Sequence, residues 1–134
     1  KQIKKIGYIL SYNWKQNMKK IEATIQINKI GVASDAIHDM VGGFTILEGN
    51  GRGSGKRQSI RSERGTVTVT AEYNKVAIIS TIVDDSKVED VSNAIADAVF
   101  TGEEGDGIIT ISNIENVLNI TSKKRNSEAL WINL

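Results

Sequence analysis

Hydrophobic and polar positions change rhythm along the chain, and each change predicts a new element. Residues 18–26 alternate between apolar and polar side chains, as in a strand with one buried face. Across 28–40, apolar residues recur every three or four positions, which predicts a helix with Asn28 as its cap. A pair of glycines then ends the helix pattern, and Phe44 begins a second, short strand.

The second half of the chain repeats this order of strand and helix. Alternation resumes at Thr66 and continues into a β-branched run at 76–83, which predicts the central strand of a sheet. Residues 84–86 can cap the helix that follows, whose apolar residues form one stripe across 88–99. A fourth strand begins at Ile108.

These elements predict an α+β fold of the ferredoxin-like type. The order strand, helix, strand, strand, helix, strand (βαββαβ) is that of the split βαβ arrangement. Residues 114–120 would add a short helical turn and a further strand. Two helices cover one face of such a sheet. Because apolar residues also alternate on the other face, we expect an oligomer to bury it.

Two glycine-rich stretches interrupt the pattern. Residues 52–65 are basic and almost without apolar side chains, so we expect a long, exposed and mobile loop with a function. Residues 101–107 place three glycines in seven positions between a helix and a strand. Successive N–H groups in such a loop can converge on an anion such as phosphate, although a plain flexible turn is the alternative.

Composition limits what these elements can do. With 134 residues and 40% hydrophobic content, the chain suits one domain with one core. The absence of cysteine excludes disulfides and cysteine-based zinc sites, and we expect the single histidine, His38, to be solvated. No apolar run approaches the roughly 18 residues that span a bilayer. We therefore expect a soluble, cytoplasmic protein without a membrane span.

Charge is unevenly distributed, although the formal net charge is only +1. Residues 1–20 carry six lysines and no acid, and residues 52–64 carry five basic residues against one glutamate. Either segment could attract phosphate, nucleic acid or an anionic membrane, or simply aid solubility. We expect residues 1–17 to be a basic extension, disordered or an alternative start, with a basic interfacial helix as an open alternative. Residues 18–134 would form the domain.

The core of the chain resembles the P-II nitrogen regulatory proteins, which are trimeric signal transducers with this fold. Each matching motif is weak alone, but together they follow the family's order and spacing. The motifs are Met18-Lys-Lys-Ile-Glu-Ala, Gly49-Asn-Gly-Arg52, Lys75-Val76, Asp84-Asp85, Thr101-Gly-Glu-Glu-Gly-Asp-Gly107 and Ile114-Glu115.

This resemblance implies an adenine nucleotide site, because family members bind ATP or ADP between neighbouring subunits. Residues 101–107 would cradle the phosphates, and the guanidinium of Arg52 would bind one of them. Gly107→Val should then abolish nucleotide binding while sparing the fold, because it would block close approach of the phosphate. Thr45 and Thr81 match positions near the adenine. The residues assigned to the site are Thr45, Gly49, Gly51, Arg52, Thr81, Thr101, Gly102, Gly105, Asp106 and Gly107.

The resemblance also gives the long loop a partner. It matches the family's loop that docks on targets such as an ammonium transporter or a nitrogen-assimilation enzyme. Residues 52–65 contain no tyrosine, so the uridylylation known in part of the family has no acceptor, and we expect the loop serines to stay unmodified. The residues assigned to docking are Lys56, Arg57, Ser59, Ile60, Arg61 and Arg64.

Several positions depart from the family pattern. Glu103 and Ile108 stand where members usually carry lysines, and Asn119 and Thr121 stand where they carry arginines. Each charge-assisted hydrogen bond to phosphate contributes about 1.5 to 3 kcal/mol, so their loss favours ADP or AMP over ATP. The basic residues 123–125 could partly substitute.

The sequence therefore predicts a non-catalytic, homotrimeric regulator that takes ADP, AMP or ATP as a ligand and has no prosthetic group, metal site or catalytic residue. Gly53 stands where the family has a glutamine that helps to hold magnesium and 2-oxoglutarate, which argues against 2-oxoglutarate sensing. The alternative is a docking protein of the same family that has lost nucleotide sensing. Nucleic-acid binding is weaker, because residues 52–65 contain no aromatic side chain for base stacking.

Overall fold

The computed structural model describes residues 18–61, 65 and 67–131. The predicted extension at 1–17 lies outside them. In chain order the helices and strands are β1 Met18–Gln26, α1 Ile30–Ile37, β2 Thr45–Gly51, β3 Ser59–Arg61, β4 Thr68–Thr70, β5 Asn74–Asp84, α2 Val88–Val99 and β6 Gly107–Ile114. Four of the strands form an antiparallel sheet in the order β2-β5-β1-β6. This order confirms the predicted α+β, ferredoxin-like arrangement, with β5 as one of the two central strands.

The core lies between this sheet and the two helices. β1 is paired with β5 along its whole length, so Ala23 lies opposite Ile79 and Ile21 opposite Thr81. These four side chains are buried, and each strand alternates between buried and partly buried positions. Such alternation is the period-two pattern of a sheet that is covered on one face. The helices contribute the buried residues Ala33, Ile37, Val88, Val91, Ile95 and Val99.

Both helices begin with a 3₁₀ turn, and the predicted side-chain caps are wrong. Ile27–Lys29 precedes α1, so Asn28 lies inside the turn and not at a cap. Asp85–Lys87 precedes α2, where Asp84 makes no capping bond and instead accepts a hydrogen bond from Ser127 Oγ at 2.5 Å. In both turns a backbone carbonyl accepts a hydrogen bond from the first helical N–H. One fewer N–H group is then left for a side-chain cap to satisfy.

The segment between β2 and β5 is not one plain loop. β3 and β4 form a separate two-stranded ribbon in which Ile60 pairs with Val69. The prediction of one strand from Thr66 onward is wrong, because the main-sheet strand begins only at Asn74. The alternation before it belongs to a hairpin, which pairs its backbone without needing a core. Thr66 and the predicted docking residue Arg64 lie outside the described residues.

The chain after β6 forms turns in place of the predicted helical turn and strand at 114–120. An isolated bridge joins Leu118 to Arg125. The buried Asn126 then donates its backbone N–H to the Val117 carbonyl at 2.9 Å and accepts the Val117 N–H on its side chain at 3.1 Å. This pairing uses a side chain and a positive φ of 57°, so a period-based pattern does not reveal it. Among the described residues, no helix is both long and apolar enough to cross a bilayer.

Candidate functional site

A cleft of about 470 Å³ opens at the end of the sheet where β1 and β2 finish and β5 and β6 begin. Its volume falls in the range of small-molecule sites, roughly 300 to 1,000 Å³. The floor is formed by β1 and β6, one wall by the glycine-rich turn before β6, and the other wall by the chain that leaves β2. The lining residues are Thr24, Ile25, Gln26, Gly51, Arg52, Gly53, Ser54, Gly55, Asn74, Val76, Gly105, Gly107 and Ile108.

The first wall, the glycine loop at 101–107, folds around the carboxylate of Asp106. The N–H groups of Thr101 and Gly102 donate to Asp106 Oδ2 at 2.8 and 3.1 Å, and the Thr101 hydroxyl donates to Oδ1. The N–H of Glu103 donates to Thr101 Oγ1 at 3.2 Å. The first three amides of the loop are therefore bound within the loop itself, so a phosphate would have to use its later amides.

These contacts also favour the charged form of Asp106. The pKa of Asp106 lies below its ordinary value, first because the Thr101 hydroxyl and then because the Thr101 N–H donates to the charged carboxylate. The N–H of Gly102 and the positive charge of Lys29 lower the pKa further, while desolvation opposes them. Lys29 is thus a cation that acts on the glycine loop, although the sequence pattern gave it no role.

Gly107 is required where the edge strand β6 packs closely against β1 in the cleft floor. Its φ is +118°, and a Cβ there would lie 2.1 Å from the carbonyl oxygen of Thr24 on β1. The expectation that a side chain at Gly107 would spare the fold is therefore wrong. Gly105, with φ of +96°, faces the cleft, and its carbonyl accepts a hydrogen bond from Gln26 Nε2 at 2.9 Å. Glycine is needed at both positions because L side chains rarely adopt such φ values.

The second wall is the segment 52–58, which we call the cleft wall. It touches the glycine loop directly, since a Cβ on Gly55 would lie 2.9 Å from the Cα of Gly105. Its far end is held by Asn74, whose Oδ1 accepts the N–H of Gln58 at 2.9 Å and whose Nδ2 donates to the Lys56 carbonyl at 3.2 Å. The two walls thus meet through the backbone contact at Gly55. The side-chain amide of Asn74 holds the cleft wall behind that contact.

Comparison with known proteins decides the family. The model of the family described as nitrogen regulatory protein P-II matches residues 18–124. The chain belongs to the P-II family. It is therefore a signal-transduction regulator and not an enzyme, as the sequence predicted.

Individual relatives agree with this assignment. The chain is 38% identical to the nitrogen regulatory protein P-II of Pyropia yezoensis and 36% identical to that of Nostoc punctiforme. Each alignment spans 114 residues, 84% of this chain and 100% of the relative. The B. subtilis GlnK-ATP complex has a TM-score of 0.67 at 22% identity, covering 86% of this chain and 99% of that one. Arabidopsis thaliana PII bound to citrate has a TM-score of 0.68 at 23% identity, covering 85% of this chain and 92% of that one. These two structures show the same fold.

The P-II cleft brings together only part of the nucleotide site expected from the sequence. Gly51, Arg52, Gly105 and Gly107 line it. The other assigned residues of the glycine loop shape that loop without lining the cleft. Gly49 lies two residues before Gly51 on β2, and a Cβ there would meet no atom within 4 Å.

The two threonines assigned to the adenine lie elsewhere. Thr45 begins β2, six residues before Gly51, which is roughly 20 Å along an extended strand. Thr81 is buried, and its hydroxyl donates to the Gly43 carbonyl at 2.7 Å. Neither residue lines the cleft.

The positions that depart from the family pattern have other surroundings. Ile108 lines the cleft and is 65% exposed. Asn119 organises the turns after β6, because its amide donates to the Ala129 carbonyl at 3.1 Å and its oxygen accepts the N–H groups of Thr121 and Ser122 at 3.0 Å. Of the basic run at 123–125, Arg125 donates to Asn116 Oδ1 at 3.2 Å, and none of the three lines this cleft.

Among the cleft-lining residues that the sequence did not assign to the site, two make side-chain hydrogen bonds that hold its walls. Gln26 and Asn74 are polar residues at the end of one strand and the start of another, a placement that has no distinctive signal in a single sequence. Their contacts reach 79 and 16 to 18 residues along the chain, respectively. Among the described residues, no group of three or more histidine, aspartate or glutamate side chains could hold a metal ion.

Proposed function

We propose that this P-II protein binds an adenine nucleotide in the cleft and regulates a target of nitrogen metabolism through the segment 52–65. The target would be an ammonium transporter or a nitrogen-assimilation enzyme, met in the cytoplasm. The observation that carries the proposal is the convergence of Gly51 and Arg52 with Gly105 and Gly107 around one cleft. A guanidinium and a glycine-rich backbone are groups chemically suited to binding phosphate.

The second part of the proposal is a homotrimer. The sheet face away from the helices carries Leu47 and Ile108, which are 61% and 65% exposed, and the partly buried Ile78. The pairing of Leu47 with Ile78 places those two on one face. An apolar face of this kind favours burial against other subunits. A trimer would also supply Thr45 of a neighbour to the base of the ligand.

The charges near the cleft favour a ligand with few phosphates. Arg52 lines the cleft, and Lys29 acts electrostatically on the glycine loop. Opposing them, Ile108 contributes no charge and Asp106 already occupies the first loop amides. Each missing charge-assisted hydrogen bond removes about 1.5 to 3 kcal/mol from binding. We therefore propose ADP or AMP as the better ligand and ATP as the weaker one.

Isothermal titration calorimetry with ATP, ADP and AMP tests the proposal, with 2-oxoglutarate added in a parallel series. We expect ADP or AMP to bind more tightly than ATP, and 2-oxoglutarate to add no heat because Gly53 offers no side-chain ligand. Sedimentation equilibrium checks the trimer in the same samples. Absence of heat with every nucleotide at millimolar concentration would refute the nucleotide site.

That negative result would instead support the second candidate, a docking protein that has lost ligand sensing. One observation favours this candidate, namely the use of three loop amides inside the glycine loop. A pull-down with a candidate ammonium transporter, with and without nucleotide, would separate the two functions. Binding that nucleotide leaves unchanged is the expected result for a docking protein alone.

A further inference from the structure

The segment that leaves β2 has two parts that are held differently. The first is the cleft wall, residues 52–58. The second, which we call the arm, is the ribbon of β3 and β4. The junction between them is Gln58, whose N–H donates to Asn74 Oδ1 at 2.9 Å and whose carbonyl accepts the Ala71 N–H at 2.7 Å. One residue therefore contacts both the start of β5 and the base of the arm.

Asn74 continues the sheet where its backbone pairing stops. The β2–β5 register ends at Gly51 opposite Asn74. Beyond that point the side-chain amide of Asn74 both donates to Lys56 and accepts from Gln58, as a backbone amide would in a ladder. Because this amide donates to one residue of the cleft wall and accepts from another, it fixes the position of the wall and not merely its distance from β5.

The cleft wall is also the part of the segment that a ligand would touch. Arg52, Gly53, Ser54 and Gly55 line the cleft, while β3 and β4 do not. Gly55 rests on Gly105, so a ligand between the two walls would push against this contact. Any displacement of Gly55 reaches Lys56 next, and Lys56 is bonded to Asn74.

We propose that Asn74 is a positioning residue that transmits occupancy of the cleft to the arm. This role rests on the proposed function, since it requires a ligand in the cleft. Without ligand, the Asn74 amide holds the cleft wall against the glycine loop and fixes the base of the arm through Gln58. When a ligand displaces the wall, the same amide carries the movement to Gln58 and from there to the hydrogen bond with Ala71.

Limited trypsin digestion followed by mass spectrometry reads both parts of the segment at once. Lys56 and Arg57 report on the cleft wall, and Arg61 reports on the arm. The variants are Asn74→Ala, which removes both hydrogen bonds, and Asn74→Asp, which keeps the acceptor for Gln58 but removes the donor to Lys56. The matched control is Asn113→Ala, an exposed asparagine on β6 that does not line the cleft.

Without nucleotide, we expect Asn74→Ala to be cut after Lys56 and Arg57 about tenfold faster than the unsubstituted protein, as the loss of two neutral hydrogen bonds implies. In Asn74→Asp, the increase in cleavage rate over the unsubstituted protein should be larger after Lys56 than after Arg61. With ADP, the unsubstituted protein should change its cleavage rate at both the wall and the arm. With each protein saturated with ADP, Asn74→Ala should still respond at the wall but lose the response at Arg61.

The control Asn113→Ala should behave as the unsubstituted protein in every measurement. Equal ligand-free cleavage of Asn74→Ala and the unsubstituted protein would overturn the inference, as would an undiminished ADP response at Arg61. If no nucleotide binds the unsubstituted protein, the proposed function fails. The ligand-free cleavage rates then still decide whether Asn74 holds the wall, so the two failures are distinguishable.

Discussion

The two walls of the cleft are built on opposite principles. The glycine loop is closed mainly from within, because Thr101, Gly102 and Asp106 bond to one another across four or five residues, and Gln26 adds a contact to it from 79 residues away. The cleft wall is held by residues far along the chain, with Asn74 lying 16 and 18 residues from its two partners. The glycine loop is therefore a preformed surface. The cleft wall is held in place by the side chain of Asn74 and is released when those hydrogen bonds break.

This difference suggests a division of labour. A loop that is closed by short-range hydrogen bonds loses little order when a ligand arrives, so it can present fixed amides. A wall held by one distant amide can move at low cost, since each neutral hydrogen bond contributes only about 0.5 to 1.5 kcal/mol net. The glycine loop, which we call the rigid wall, would bind the ligand. The cleft wall, which we call the movable wall, would change position when the ligand binds.

The largest expected effect comes from placing a methyl group on the rigid wall. Gly107→Ala should lower the free energy of unfolding by about 3 kcal/mol, because the new Cβ meets the Thr24 carbonyl at 2.1 Å and φ is +118°. Urea denaturation followed by circular dichroism measures the change. The control is Gly53→Ala on the movable wall, where a Cβ meets nothing within 4 Å and the change should stay within about 0.5 kcal/mol. Equal losses in both variants would remove the contrast between the walls.

Next in size is a change of charge on the cleft floor. Ile108→Lys should tighten ADP and ATP binding by about tenfold or more, since a new charge-assisted hydrogen bond contributes about 1.5 to 3 kcal/mol. The gain should be greater for ATP than for AMP, which shifts the order measured by calorimetry. Val32→Lys adds the same charge on the exposed surface of α1, away from the cleft, and should leave the affinities unchanged. A similar gain from both variants would indicate general electrostatic attraction and not a phosphate at Ile108.

Much of the fold could be predicted, because it depends on near neighbours in sequence. The alternation of Ile21, Ala23 and Ile25 identified β1, and the stripe from Val88 to Val99 identified α2. The glycine loop was also predicted, because glycine is the usual residue where the backbone adopts a positive φ. The sequence did not predict which distant segments pair with one another. The ribbon looked like part of the main-sheet strand, since alternation shows a strand but not its partner.

The candidate site divides in the same way. Gly51, Arg52, Gly105 and Gly107 were assigned from motifs, and the structure brings them to one cleft. Gln26 and Asn74 were missed because a lone amide at a strand end has no pattern around it. Asp106 was recognised as part of a motif, yet its action on the loop amides depends on hydroxyl and N–H positions that only the folded loop defines.

A smaller and more local effect should follow acidification of the rigid wall. Hydrogen bonds from Thr101 lower the pKa of Asp106 in the folded protein, so the stability they give is complete above the unfolded pKa. It is lost as the pH falls through the lower, folded pKa. We expect the amide NMR signals of Thr101 and Gly102 to shift together in that acidic window, while those of the movable wall do not follow them.

Asp106→Asn supplies the control for this titration. The amide side chain has a similar shape but does not titrate, so the acid-dependent shift of Thr101 and Gly102 should disappear. If the shift persists in Asp106→Asn, another acid governs the loop and the rigid wall is not closed by Asp106. Movement of the Gly55 signal with the same midpoint would mean that the two walls titrate as one unit.

The smallest effect on stability should come from removing the arm altogether. Gln58 and Ala71 already face each other through a hydrogen bond of 2.7 Å, so an Asn-Gly turn can replace residues 59–70 between them. Ile60 and Val69 are 50% and 46% exposed, so little buried apolar surface is lost and the free energy of unfolding should change by about 0.5 kcal/mol or less. Nucleotide affinity should be retained because both walls and Asn74 remain, while binding to a target transporter or enzyme should vanish. Loss of nucleotide binding in this variant would show that the arm supports the movable wall, and recognition and reporting could then no longer be assigned to separate parts of the segment.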